Sequence, residues 1–236
     1  MIGKKWIGAF VAAISLTTST TFGATIFWAD DGCIYRADED GTNAAKVHDN
    51  TDGTALSIVA DSTGQKLYVR GRIGTRDGDG RIFRMDFDGS NLETLVSGLS
   101  IHGYGLGVDF LNERMYFGNW GTGAYFANLD GTGQTLLPNT SSGFDCLRHT
   151  HDFEVAGGKV YYTNDDHPQS VIGVQRFAGI RRSDLDGTNV ETVLSVAQGT
   201  AGLYGLAIDE VNNKVYWSQD FQDSIYRSDL DGSKAE

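Results

Sequence analysis

The sequence predicts an all-β protein built by repeating one four-stranded antiparallel sheet, and three observations carry that prediction. A string of the form IYRSDLDG recurs five times, at Ile34–Gly41, Ile82–Gly89, Ala124–Gly131, Ile180–Gly187 and Ile225–Gly232. An aromatic string stands ahead of each copy: Phe27–Asp30, Tyr68–Gly71, Tyr116–Asn119, Tyr161–Asn164 and Tyr216–Gln219. A third string, ending in an acidic residue, stands seven residues before the last four of these: Asp61 to Tyr68, Asp109 to Tyr116, Glu154 to Tyr161 and Asp209 to Tyr216.

Within a unit the third string is the first strand, with large and small residues alternating as in Leu106-Gly107-Val108 and Leu206-Ala207-Ile208. The seven-residue offset fits a two-residue hairpin turn at Gly64-Gln65, Asn112-Glu113, Gly157-Gly158 and Asn212-Asn213, where Gly and Asn tolerate positive φ. The aromatic string is then the second strand and the IYRSD run the third. Asp-Gly marks the next hairpin. It leads into the β-prone runs Asn91–Val96, Gln134–Leu137 and Asn189–Leu194. The closing glycines lie 48, 42, 56 and 45 residues apart. That period and strand count describe the blade of a β-propeller. Leu106, Val108, Leu206 and Ile208 are expected to be buried. No helical periodicity is seen after the N-terminus.

Counting strands gives 18, three in the first and last units and four in each of the others. A six-bladed ring needs about six more. About five blades are therefore expected, in a chain truncated at its C-terminus, because an open arc leaves two sheet edges unpaired.

At the N-terminus, Lys4 and Lys5 precede the apolar run Trp6–Leu16 and then small and hydroxyl residues. Residues 1–24 read as a secretory signal cleaved after Gly23 or Ala24, and residues 25–236 as the propeller domain. An eleven-residue run is too short to span a bilayer, and no second run of membrane length follows. The mature chain is thus expected to be secreted or periplasmic, without a membrane span. The net charge of −12 repels phosphate backbones and argues against nucleic acid as a partner. Two cysteines, Cys33 and Cys146, exclude a disulfide scaffold. They fall nearly half a ring apart, and no bridge is expected between them.

The strings FWAD, YYTN and YWSQ, with GLAID upstream and IYRSDLDG downstream, resemble the low-density lipoprotein receptor class B repeat, the YWTD propeller. The resemblance covers most of residues 26–236; no copy is a full YWTD, and Tyr68–Gly71 departs furthest. It implies a six-bladed ring with interaction surfaces and names no ligand.

Several residue patterns invite chemistry. The Asp-x-Asp-Gly copies suggest calcium, but their spacing does not match a calcium loop, and they fall at strand ends as turns do. Trp28, Tyr68, Tyr116, Tyr161 and Trp217 suggest a carbohydrate ladder, but repeated positions in every blade are core positions. Asn139-Thr140-Ser141 is a glycosylation sequon. No G-x-S-x-G, H-E-x-x-H or phosphate loop occurs. No cofactor or metal is expected.

Topology singles out one surface. Loops after the first and third strands of a meander share one face, here called the turn face. Loops after the second and fourth share the other, the insertion face. The long connections Gly71–Gly80, Gly98–Gly103, Pro138–Thr150, Asn164–Gly179 and Gln198–Gly202 all fall on the insertion face. Variable loops on a rigid frame carry binding groups. There the Gly157-Gly158 register pairs Glu154 with Tyr161 and His151 with Asn164, and, continued, His149 with Asp166. Arg148, His149, His151, Asp165, Asp166 and His167 are the candidate patch for a protein or small ligand, beside the channel-lining strand. Imidazole and carboxylate together also suit a divalent metal. The reading is an interaction module; its rival is a metal-dependent propeller hydrolase or lactonase with a site at the central channel.

Overall fold

The computed structural model describes residues 13–15, 24–49, 54–120, 122–138, 150–164, 178–196, 203–219 and 224–236. They form a five-bladed antiparallel β-propeller in which sequence order is blade order. Blade one holds β1 (Ala13–Ser15), β2 (Thr25–Asp30), β3 (Cys33–Asp38) and β4 (Ala45–His48). Blade two holds β5 (Thr54–Asp61), β6 (Lys66–Arg72), β7 (Gly80–Asp86) and β8 (Glu93–Leu99). Blade three holds β9 (Leu106–Asp109), β10 (Arg114–Asn119), β11 (Gly123–Asn128) and β12 (Thr135–Leu136). Blade four holds β13 (Phe153–Ala156), β14 (Lys159–Asn164), β15 (Gly179–Asp184) and β16 (Glu191–Ser195). Blade five holds β17 (Leu203–Asp209), β18 (Lys214–Gln219) and β19 (Ser224–Asp229). The first strands meet in the order β1, β5, β9, β13, β17 and form the inner ring.

Two features depart from the reading above. Blade one has four strands where three were expected: β1 pairs Ala13 with Phe27 and Ser15 with Thr25. It lies inside the segment read as a signal, and it satisfies the otherwise open N–H and C=O groups along the inner edge of β2. The inner hairpin turns also differ. Among the described inner hairpins only that of blade four closes on two residues, with Ala156 opposite Lys159. Blades two, three and five pair Asp61 with Lys66, Asp109 with Arg114 and Asp209 with Lys214, leaving four-residue loops. The reason is the aspartate itself. Asp61 accepts the N–H groups of Thr63 and Gly64, and Asp109 and Asp209 accept those of Asn112 and Asn212, so each carboxylate caps a wider loop. The left-handed residues are Gln65, Glu113 and Asn213.

Each hydrophobic core lies between two blades. Tyr68 and Ile82 of blade two pack on Leu106, Met115 and Phe117 of blade three, and Tyr161 and Ile180 of blade four on Leu206, Val215 and Trp217 of blade five. Tyr68, Tyr116, Tyr161 and Trp217 are all core residues. Leu106 and Leu206 are buried as expected, whereas Val108 and Ile208, nearer the hairpins, are half-buried.

In three of the five IYRSDLDG strings the closing glycine has a second duty besides its left-handed turn. A Cβ on Gly89 would lie 1.8 Å from the Val47 carbonyl oxygen of blade one, and one on Gly232 1.8 Å from that of Val193 in blade four. Gly131 meets Leu95 of blade two in the same way, at 2.1 Å. Gly41 of blade one has nothing within 4 Å.

Among the described residues, blades one and five each keep one sheet face uncovered. Ile225 is 79% exposed, while Ile34, Ile82 and Ile180 at the matching position are at 0%. Trp28, which matches the buried Val69 and Phe117, is half-buried and stacks on Tyr35.

A Gly89→Ala chain is expected to lose more than about 3 kcal/mol of stability, from strain at positive φ plus the backbone collision. Gly41→Ala carries only the φ penalty, about 1 kcal/mol. Urea unfolding of the two variants checks the difference, and equal losses would contradict the spacer role.

Candidate binding site at the mouth of the channel

On the insertion face, three segments lead into the inner strands and converge on the channel mouth: 100–105 before β9, 150–152 before β13, and 203–205 at the start of β17. The first is clamped by two side chains. Arg70, wholly buried on β6, donates to the carbonyls of Ser100 (2.7 Å), Arg81 (3.2 Å) and Gly71 (3.3 Å). Burial lowers its pKa to about 10, because desolvation disfavours the charged guanidinium. Asn119 of β10 accepts the Ser100 N–H at 2.7 Å. The next segment lies flush against this one, since a Cβ on Gly105 would sit 2.6 Å from the Asp152 Cα.

The clamp places Tyr104 flat against His151, with ring centroids 5.5 Å apart and 12° between planes. Tyr204 meets the other side of the same imidazole at 4.4 Å and 46°. His151 is only 5% exposed, whereas both tyrosines are half-buried and keep surface toward the mouth. Alongside, His102 contacts Trp120 at 5.7 Å. The result is an aromatic rim with its imidazole as the packing centre.

Beneath the rim lie two acids on one face of the blade-four inner strand. Asp152 is buried and accepts the N–H groups of Leu206 in blade five, at 2.9 Å, and Phe153, at 3.0 Å. Desolvation outweighs those bonds and raises its pKa to about 7. Glu154 keeps some accessible surface along the channel but is otherwise enclosed by protein. Desolvation, and then the Asp152 charge, raise it to about 8.

Of the residues singled out in the sequence, Arg148, His149, Asp165, Asp166 and His167 lie outside the described residues. His151 is placed, and the expected pairing of Glu154 with Tyr161 is present. The ladder ends at Phe153 and Tyr162; beyond it, Thr163 donates its N–H to the Asp152 carbonyl at 3.2 Å. Tyr104, Tyr204 and Asp152 were missed. The signal was available, because Gly107 opposes Tyr116, Glu154 opposes Tyr161 and Ala207 opposes Tyr216. Counting back three residues makes Tyr104, His151 and Tyr204 the same position of consecutive blades. Aligning the units on their acidic residues hid this, because the blade-four hairpin is two residues shorter.

Among the described residues no three His, Cys, Asp or Glu side chains converge to hold a metal, so the hydrolase alternative has no donor set there. The Asp-x-Asp-Gly carboxylates are engaged within their own turns: Asp40 accepts from the Thr42 N–H at 2.9 Å and hydroxyl at 2.6 Å, and Asn43 donates to Asp38 at 2.6 Å. Cys33 is a free thiol at the start of β3; Cys146 lies outside the described residues. No helix among the described residues is long and apolar enough to cross a membrane.

Comparison with known proteins gives a distant relationship. The chain is 27% identical over 193 residues to low-density lipoprotein receptor-related protein 4 of Homo sapiens and of Rattus norvegicus. The match covers 66% of this chain and 10% of each relative, so the chain spans about a tenth of their length. No family model matches. Among solved structures, a nidogen/laminin complex aligns with TM-score 0.72 and 17% identity over 89% of this chain and 76% of that one. A TolB-like protein of Agrobacterium tumefaciens aligns with TM-score 0.68 and 15% identity over 97% of this chain and 80% of that one. The chain is a β-propeller with distant sequence similarity to low-density lipoprotein receptor-related protein 4 and a fold shared with the TolB-like structure.

The two acids make stability depend on pH. Their folded pKa values, about 7 and about 8, lie above the ordinary carboxylate range, so the folded chain holds protons that the unfolded chain has released. The stabilisation is complete below about pH 4 and is lost as pH rises through 7 to 8. The melting temperature is expected to fall between pH 5 and pH 8.5. In an Asp152→Asn/Glu154→Gln chain, scanning calorimetry is expected to give a flatter profile.

Proposed function

We propose that this chain is an exported YWTD-type propeller that binds a protein or small ligand through its insertion face, with no covalent chemistry. The observation that carries the reading is the rim at the channel mouth. Tyr104, His151 and Tyr204 occupy one repeat position in three consecutive blades, with the outer two rings left partly open. Tyrosines on a rigid frame supply large contact area at low entropic cost, which suits an interaction hot spot. The long insertion-face connections, including those with Arg148, His149, Asp165, Asp166 and His167, form the outer part of the same patch in this reading. A likeness to a propeller solved in a nidogen/laminin complex supports a protein as the partner class. The uncovered faces of blades one and five are taken to be covered by a sixth blade in the working protein.

The test is affinity capture from the extracytoplasmic fraction with the full chain and with a Tyr104→Ala/Tyr204→Ala variant, followed by titration of the captured species. Each tyrosine is expected to contribute at least about 2 kcal/mol, roughly thirtyfold in Kd, with little change in melting temperature. A variant that binds as tightly as the parent removes the rim from the interface. Export is checked by N-terminal sequencing of the mature protein, which should begin at Ala24 or Thr25 and so lack β1 of the full chain. Retention of Met1 would contradict it.

A further inference from the structure

The turn face carries its own unexplained surface. Leu111 and Val211 stand at the same place in the four-residue loops of blades three and five, and they are 91% and 94% exposed. Blade two holds Thr63 there. Neither aliphatic side chain serves its loop. The loop is fixed by Asp109 and Asp209, which accept from Asn112 and Asn212, and by the left-handed Glu113 and Asn213. Phe110, partly exposed and 5.8 Å from the Tyr68 ring, extends the apolar tip of blade three.

Between these loops the blade-four hairpin stops two residues short, at the exposed pair Gly157-Gly158. The two loops and the short hairpin thus form a saddle with aliphatic walls and a bare backbone floor. Inner strands of successive blades are roughly 10 Å apart, so the walls stand up to about 20 Å apart. An α-helix with its side chains is about 10–12 Å across and fits between them.

Charge selects the occupant. Glu113 and Glu210 are exposed on the walls, and Glu210 Oε1 would be 3.2 Å from a Cβ on Gly157, leaning over the floor. The nearby cations are engaged: Lys159 with Asp184, Lys214 with Asp229, and Arg114 over the Phe126 ring. Asp186 and Asp231 in the adjoining outer turns add further negative charge. Exposed aliphatic tips on rigid loops also suit a membrane, but this acidic surround repels anionic lipid headgroups.

We propose that this saddle is a second interaction surface, distinct from the channel mouth, and that its partner is a cationic amphipathic helix. The partner's aliphatic stripe lies between Leu111 and Val211, and its Lys or Arg side chains reach Glu113 and Glu210. Because both loops are held by their own aspartates, the walls are preorganised and little order is lost on docking.

The test uses an 18-residue Leu/Lys amphipathic helical peptide, with a same-composition peptide of scrambled, non-amphipathic order as control, measured by fluorescence anisotropy against the full chain. The chain is expected to bind the helix at least tenfold more tightly than the scrambled peptide. Leu111→Ser/Val211→Ser, which keeps every carboxylate, should abolish that preference, and Tyr104→Ala/Tyr204→Ala should leave it intact. Replacing Gly157-Gly158 with the four-residue blade-five loop fills the saddle and should also abolish it. Equal binding of both peptides, no binding by the parent chain, or full affinity in the Leu111/Val211 variant overturns the proposal. Binding to phosphatidylserine vesicles that depends on Leu111 and Val211 would assign the surface to a membrane instead and likewise overturn it.

Discussion

The spacing between blades is the constraint on which the molecule rests. A blade cannot bury either of its faces alone, so each sheet depends on its neighbours for a core. At three seams that spacing is set where an Asp-Gly turn presses its glycine against a carbonyl of the outermost strand of the preceding blade, and at the fourth Gly187 meets the side chains of Leu137 and Pro138. Polar ties run across the same seam: Tyr116 donates to the Leu185 carbonyl at 3.0 Å, and Arg182 to that of Leu230 at 3.3 Å. The repeated string thus encodes the turn and the distance to the next sheet at once. Blade one, which packs against a single neighbouring sheet among the described residues, shows the converse. Its Gly41 touches nothing, and its Trp28 remains half-exposed.

The same rigidity lets the channel mouth hold groups that are costly to bury. Arg70 occupies a position filled by Ala29, Gly118, Thr163 and Ser218 in the other blades, and among the described residues it donates to carbonyl oxygens. A buried cation of this kind contributes little net stability, but it fixes the segment that carries Tyr104. Asp152 acts comparably between blades four and five through the Leu206 N–H. These two groups tie neighbouring segments at the mouth into one geometry.

The two faces divide the labour. On the turn face the described loops are short, and all but the Gly157-Gly158 turn are closed by their own aspartates, so variation there is limited to the side chains at the loop tips. On the insertion face connection lengths differ from blade to blade, and variation enters through whole segments. An open surface at the mouth and a narrow one over blade four are compatible within one frame, because inner-strand hairpins and insertion loops lie at opposite ends of the same strands.

The sequence alone determined the fold class, the order of the blades and the face that carries the long connections. Each of these follows from local periodicity and turn chemistry repeated down the chain. The Asp-Gly turns and the aromatic core positions were legible for the same reason, as was the pairing of Glu154 with Tyr161. Register in the other blades was not, because an aspartate closing a four-residue loop and one paired inside a strand leave the same seven-residue offset; the difference lies in which N–H groups the carboxylate accepts. The fourth strand of blade one escaped as well, since Ala13–Ser15 carries no strand signal beyond being apolar and gains its partner only from the open edge of β2. Only the tertiary structure brought Tyr104, His151 and Tyr204 together. They are 47 and 53 residues apart in the chain, and their contact depends on three blades holding a common radius around one channel.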